Sequence, residues 1–199
     1  MPDVHSLHDV FVHELRDMYN AEQQITKALP KLIKAAESED LREAFETHLD
    51  ETHSQIDRLE QAFDLLDEKA RGVACDGMSG ILSEGRMVLE DGMPGPIRDA
   101  ALIGAAQRVE HYETAVYGTL IAWAKAMGQN QIADLLTSNL QEEKNADEKL
   151  SQLAESGIND AAVHVNGAAM VTRSRRSGAV RGSSPSTHHA RARKGTRRS

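Results

Sequence analysis

Four glutamates recur at matched positions in two stretches of this sequence, and carboxylates in such an arrangement can bind metal ions. A shift of 91 residues carries Glu22 onto Glu113 and Glu51 onto Glu142. The same shift, without a gap, aligns five pairs of apolar residues: Ile25 with Val116, Leu29 with Leu120, Leu41 with Ile132, Leu49 with Leu140 and Leu59 with Leu150. We therefore predict two helical hairpins that face each other and direct these carboxylates into a shared interior.

The spacing of the four acids predicts that they meet at one depth. Glu22 lies sixteen residues before the predicted turn near Ser38, and Glu51 lies thirteen after it. At ~1.5 Å per helical residue, their heights differ by only about 5 Å. The acids of the second hairpin have the same relation to the turn near Gln129. Bare carboxylates so placed would repel each other and lose hydration, and bound cations remove both penalties.

Three further residues on or beside the same apolar stripes complete the candidate site. We expect Glu22, Glu51, Glu113 and Glu142 to be the primary ligands and the reactive set, with His48, Glu110 and Glu143 completing the metal coordination or relaying. The oxygen-rich ligand set favours iron or manganese over structural zinc, which prefers Cys and His. The alternative interpretations are solvated flanking charges for the glutamates and an ordinary hydrogen-bonded side chain for His48.

The apolar pattern predicts an all-α fold whose helices position these residues. Apolar residues recur at intervals of three and four in four long segments, which is typical of helices with one buried face. The predicted helices cover residues 6–37, from about residue 40 to the sixties, from Pro96 to Gly128, and 130–155. A crossover over residues 70–97 contains a predicted short helix. The fold is therefore predicted to be a four-helix bundle of two antiparallel hairpins joined by a long crossover, one of the bundle topologies in which metal sites are built.

Composition and charge predict a single helical domain with a basic tail. Residues 171–199 contain nine Lys or Arg and no acid, so 14 of the 23 basic residues and all 31 acidic ones lie in residues 1–170. We predict a bundle over residues 1–157 and a disordered tail over residues 158–199. The tail could bind nucleic acid weakly through residues 171–199. A single cysteine, no membrane-length apolar run and no secretory signal predict a cytoplasmic protein.

The motifs that carry the candidate site resemble those of a known family, the YciE/YciF-type ferritin-like proteins. The matching segments are LRDMYNAEQQ around Glu22, FETHLDETHSQIDRLE around His48 and Glu51, EHYETAVYGTL around Glu110 and Glu113, and NLQEEKNADEKL around Glu142 and Glu143. The resemblance covers residues 5–155. It departs from the usual di-iron pattern, in which a histidine follows three residues after a glutamate, because Ser54 and Asn145 occupy those positions.

The resemblance implies a dinuclear metal site, with two iron ions per chain, or manganese in their place. It also implies a homodimer, and a ferroxidase-type oxidoreductase or peroxide-linked activity in stress protection, with O₂ or peroxide as the oxidant. The alternative function is that of a non-catalytic helical stress protein that binds a partner or nucleic acid through its basic tail.

Overall fold

The computed structural model describes residues 4–165, and within this range the secondary structure is helical, without strands. The predicted all-α class is therefore confirmed. Five α-helices follow one another: α1 (Leu7–Ala35), α2 (Glu39–Leu65), α3 (Asp76–Glu90), α4 (Gly95–Ala126) and α5 (Asn130–Leu153). A π-helical segment, Ala154–Ile158, continues α5, and residues 159–165 are again helical. Residues 158–165, which we assigned to the tail, are thus helical, and the rest of that tail lies outside the described residues.

Local hydrogen bonds explain where two of the long helices end. Gly128, with φ of 75°, follows the last residues of α4, and the Gln129 N–H donates to the Ala124 carbonyl at 2.9 Å. At the end of α2, Asp67 has φ of 55° and the Glu68 N–H donates to the Phe63 carbonyl at 3.0 Å. Both ends are Schellman motifs, in which a residue in the left-handed region satisfies otherwise free carbonyls.

Side-chain contacts show that α1 and α2 run antiparallel. The start of α1 meets the end of α2, where Arg16 pairs with Glu68 at 2.9 Å and the Tyr19 hydroxyl donates to Glu60 at 2.7 Å. Helices α4 and α5 are antiparallel by the same criterion, since Gln107 in the first half of α4 donates to Ser151 near the end of α5. Helix α2 also packs against α5, and α1 packs against α4.

The crossover between α2 and α4 contains α3, which packs against α1 and α4. Met78 is the fully buried side chain of this helix. Within residues 4–165, no helix combines the length and the apolar character that a membrane span requires.

The core is apolar towards the two ends of the long helices and polar at their middle. Phe11, Phe45 and Phe63 are among the largest fully buried side chains. Nine polar or charged residues are buried in the described part of the chain, and five of them are glutamates or histidine on neighbouring helices between these apolar layers: Glu22, His48, Glu110, Glu113 and Glu143. Because buried charges are costly unless paired or bound to metal, this polar layer is the candidate functional site.

Candidate metal centre

The innermost positions of α2 and α5 follow a strict alternation of three and four residues. In α2 this series runs Phe45, His48, Thr52, Gln55 and Leu59, and all five are buried. In α5 it runs Ile132, Leu136, Asn139, Glu143 and Leu150, with Ala146 between the last two. Each series is apolar at its ends and polar in the middle, so helical periodicity alone directs His48, Gln55, Asn139 and Glu143 inwards.

Four buried side chains converge from the three helices α2, α4 and α5. His48 of α2, Glu110 and Glu113 of α4, and Glu143 of α5 each contribute a ligand atom, and these atoms all lie within 4.8 Å of one another. The Nε2 atom of His48 is 3.5 Å from a Glu110 oxygen and 4.0 Å from a Glu143 oxygen. These separations exceed hydrogen-bond lengths but suit groups arranged around one ion.

Most of these ligand atoms make no hydrogen bond within the described part of the chain. Both ring nitrogens of His48, both carboxylate oxygens of Glu113 and one oxygen each of Glu110 and Glu143 are buried without a partner. Buried polar groups are nearly always satisfied in proteins, and a buried charge without a partner is strongly destabilising. A bound cation would satisfy the carboxylate oxygens together with one ring nitrogen of His48, so the donor set fits a metal ion.

Glu22 of α1 adds a fourth carboxylate, and so a fifth ionisable group, to this cluster. It is fully buried, and the Tyr117 hydroxyl donates a short hydrogen bond to one of its oxygens. Its other oxygen makes no hydrogen bond among residues 4–165. The Asn139 amide donates to the Tyr117 hydroxyl at 2.9 Å, which orients that hydroxyl towards Glu22.

Burial and mutual repulsion shift the protonation of this cluster. Burial raises the pKa of Glu22, Glu110 and Glu113 well above the usual value of about 4.5, and the neighbouring Glu143 raises it further in each case. Burial, followed by the charges of Glu22 and Glu113, also raises the pKa of the Tyr117 hydroxyl. A nearby cation would favour the charged carboxylates and reverse these shifts.

Glu142, a predicted primary ligand, is engaged in an ion pair at the edge of this cluster. Its two oxygens accept from the Arg58 guanidinium at 2.6 and 2.8 Å in a bidentate arrangement. The Gln55 amide donates to Glu142 at 3.1 Å and also to Glu143. The structure therefore places Glu143, and not Glu142, among the converging groups of the centre.

Glu51, another predicted primary ligand, lies at the outer side of His48. Its side chain is 34% exposed, and one of its oxygens is 3.8 Å from the Nδ1 atom of His48. Glu51 does not belong to the four groups that converge within 4.8 Å. Of the seven predicted site residues, the structure thus gathers Glu22, His48, Glu110, Glu113 and Glu143 at the buried centre and leaves Glu51 and Glu142 beside it.

Sequence reasoning missed the polar side chains that surround the acids. Gln55 and Arg58 of α2 and Asn139 of α5 form a hydrogen-bonded group beside Glu142 and Glu143. The three-and-four spacing from Ile132 to Leu150 identifies Asn139 and Glu143 as inward positions, and we predicted Glu143 only as a completing or relaying residue. The 91-residue repeat led us to predict Glu142 as the primary ligand, one position away and about 100° around the helix.

Comparison with known proteins agrees with the fold and the motifs. The family described as "Domain of unknown function (DUF892)" matches residues 6–163. Protein YciF of Escherichia coli strain K12 is 45% identical over 155 residues, which cover 77% of this chain and 93% of that protein.

Two solved structures are similar as well. The crystal structure of the E. coli stress protein YciF has a TM-score of 0.76 at 44% identity, covering 78% of this chain and 99% of that one. YcfI of Rhodopseudomonas palustris has a TM-score of 0.74 at 47% identity, covering 75% of this chain and 96% of that one. The chain belongs to the DUF892 family, and its resemblance to the YciF-type proteins is confirmed.

Proposed function

We propose that this protein is a ferritin-like four-helix bundle that binds divalent metal ions, iron foremost, at the buried centre. The observation that carries the proposal is the convergence of His48, Glu110, Glu113 and Glu143 within 4.8 Å, buried and largely without hydrogen-bond partners. The antiparallel contacts of α1 with α2 and of α4 with α5 support the bundle topology. A set of carboxylate oxygens with one imidazole suits iron or manganese.

Each residue of the centre has a distinct role in this proposal. His48, Glu110, Glu113 and Glu143 would hold one ion, and Glu22 would join Glu113 and Glu143 in holding a second. Tyr117 and Asn139 fix the orientation of the Glu22 carboxylate. Arg58 and Gln55 hold Glu142 and Glu143 in place, as outer hydrogen-bond partners do for metal ligands in general. Glu142 then acts through Arg58 and makes no bond to the metal.

We further propose a ferroxidase-type reaction in which Fe(II) is the substrate and peroxide or O₂ is the oxidant. With peroxide, two Fe(II) ions each lose one electron, the O–O bond breaks, and two protons complete two water molecules. The protein contributes a buried set of anionic ligands, which favours the more highly charged Fe(III) product over Fe(II). The similar E. coli protein YciF is described as a stress protein, which agrees with a protective role.

Anaerobic titration with Fe(II), followed by addition of peroxide, tests this function. We expect about two Fe(II) ions to bind per chain and to be oxidised when peroxide is added. Glu113→Gln should abolish both, because Glu113 contributes to the converging cluster and both of its oxygens are buried without a hydrogen-bond partner among residues 4–165. Glu46→Gln, a substitution at an exposed position of α2, is the matched control. Absence of bound iron, or full activity in Glu113→Gln, would contradict the proposal.

The alternative function uses the basic tail, of which residues 166–199 lie outside the described part of the chain. Nine basic residues and no acids in residues 171–199 favour binding to nucleic acid through phosphate contacts. Deletion of residues 171–199 would then abolish the activity, and Glu113→Gln would leave it intact. We also retain the homodimer and the cytoplasmic location as parts of the proposal.

A further inference from the structure

A pocket between α2 and α5 leads from the surface to the candidate metal centre. It has a volume of about 330 Å³. Buried His48 and Glu110 line its inner end, half-buried Glu51 lies farther out, and exposed Glu43 and Lys149 stand at its mouth. We call it the α2–α5 pocket. It opens onto two of the groups that form the buried centre.

The lining of the α2–α5 pocket attracts cations. Four of its lining residues are acidic, Asp40, Glu43, Glu51 and the buried Glu110, and one is a lysine, Lys149. Glu43, Thr47 and Glu51 follow at intervals of four along α2, so they share one helix face. On this face the Glu43 carboxylate is exposed to solvent and the Glu51 carboxylate lies farther in, 3.8 Å from the Nδ1 atom of His48. A cleft lined by charges of one sign raises the local concentration of the opposite ion.

Buried groups at the inner end point to a metal ligand independently of the acids at the mouth. His48 is only 5% exposed, and both of its ring nitrogens are buried without a hydrogen-bond partner among residues 4–165. The same holds for one oxygen of Glu110. The pocket therefore ends on donor atoms that are free to bind the ion that its acids attract.

A second pocket, between α1, α3 and α4, has the opposite charge. Its volume is about 210 Å³, and its described lining residues include Lys27, Lys31 and Arg86 but no acid. Three positive charges would repel an approaching metal ion. Electrostatics thus distinguish the two pockets as routes for a cation.

We propose that the α2–α5 pocket is the route by which divalent cations reach the metal centre, and that Glu51 transfers the ion from solvent to His48. This inference rests on the proposed metal binding and deepens it. It assigns Glu51 a kinetic role: the residue sets the rate of metal uptake without belonging to the final ligand set. Lys149, the one basic residue of the lining, opposes uptake by repelling the ion.

Stopped-flow measurement of Co²⁺ binding to the full-length protein, at low ionic strength, tests the route. Glu51→Gln should slow uptake about three- to tenfold, in the lower range of electrostatic focusing effects, and leave the final Co²⁺ stoichiometry unchanged. Lys149→Gln should accelerate uptake, a direction that a folding defect would not produce. Added salt should reduce all of these differences. Glu46→Gln, on an exposed part of α2 outside the pocket lining, should match the wild-type rate.

Three outcomes would overturn the proposals, and they are distinguishable. A wild-type uptake rate in Glu51→Gln would refute the route alone, provided the wild-type chain binds Co²⁺. A reduced stoichiometry in Glu51→Gln would make Glu51 a permanent ligand and so refute its transfer role. A wild-type chain that takes up no Co²⁺ would refute the proposed metal binding itself, and the route with it.

Discussion

Glu142 and Glu143 are consecutive in the sequence, yet the fold gives them opposite environments. Glu142 is 23% exposed and holds Arg58 in a bidentate ion pair, whereas Glu143 is fully buried among other acids. The difference follows from the helix, which turns about 100° per residue. One carboxylate is compensated by a cation of the protein, and the other belongs to a cluster that could hold a metal ion.

The two neighbours should therefore respond oppositely to removal of their charge. Glu142→Gln should destabilise the metal-free protein by about 1 kcal/mol, because Arg58 loses an ion pair that is only partly screened by solvent. Glu143→Gln should leave the metal-free protein as stable or more stable, because a buried charge is removed. For metal affinity we expect the reverse: a loss of at least about tenfold in Glu143→Gln, and a smaller loss in Glu142→Gln.

Thermal unfolding of the metal-free variants and Co²⁺ titration measure the two effects. If Glu142→Gln abolished metal binding and Glu143→Gln did not, Glu142 would be the ligand and the assignment at the centre would be wrong.

The raised pKa values of the buried acids predict how stability depends on pH. In the unfolded chain, Glu22, Glu110 and Glu113 lose their protons near the usual pKa of about 4.5, whereas in the folded, metal-free chain they retain them to higher pH. Between the usual and the raised pKa values, the folded state therefore binds more protons than the unfolded chain. The stability that these bound protons give to the folded state is lost as pH rises through the raised pKa values. Metal binding requires the charged carboxylates, so it should release protons and stabilise the protein more at higher pH.

Calorimetry between about pH 5 and about pH 8 checks this dependence. The melting temperature of the metal-free protein should fall with pH, and more steeply than that of Glu113→Gln, which lacks one of the titrating acids. Titration of Co²⁺ in buffers of different ionisation enthalpy should reveal the released protons. Equal slopes for wild type and Glu113→Gln, or no proton release, would contradict this description of the centre.

At the scale of elements, one buried side chain joins the α1–α2 turn to the start of α4. The Asp99 carboxylate accepts from the Glu37 and Ser38 backbone N–H groups at 2.9 and 2.7 Å and is 3% exposed. These N–H groups lie between two helices and would otherwise be unsatisfied. Asp99 therefore fixes the position of α4 relative to the first two helices, and with it the height of Glu110 and Glu113.

Removal of this carboxylate should destabilise the whole fold. Asp99→Ala leaves two N–H groups without their acceptors, and we expect a loss of about 3 kcal/mol, since hydrogen bonds to charged groups contribute about 1.5–3 kcal/mol each. Asp99→Asn should lose less, because its amide oxygen can still accept. Asp134→Ala, at an exposed position of α5, should change stability by less than about 0.5 kcal/mol. Chemical denaturation measures all three, and an unchanged Asp99→Ala variant would contradict this role.

The sequence allowed the elements to be predicted more closely than the contacts between them. Each predicted long helix lies within a few residues of an observed one, because apolar spacing and a residue such as Gly128 are local signals. The ion pair of Arg58 with Glu142 joins positions 84 residues apart, and no local sequence pattern predicts such a contact. The same limit explains why Asp99 was missed and why the sequence repeat ranked Glu142 above Glu143 as a ligand.

At the scale of the whole molecule, the described helices hold an acidic, polar layer inside an otherwise apolar core. Such a layer weakens a bundle that binds no metal, since its buried acids repel one another and its histidine has no hydrogen-bond partner among residues 4–165. Metal binding would convert this layer into a stabilising one, so that folding and metal loading would be linked. Membership of the DUF892 family does not by itself assign metal binding to this chain. The proposal of metal binding rests on the geometry of the centre.

Anomalous X-ray diffraction from crystals loaded anaerobically with Fe(II) tests the central claim most directly. We predict anomalous density between α2, α4 and α5, with His48, Glu110, Glu113 and Glu143 at bonding distances of about 2.0–2.2 Å. Glu142 should remain on Arg58 in the same crystals. An interior without anomalous density, with iron only at surface carboxylates, would contradict the account.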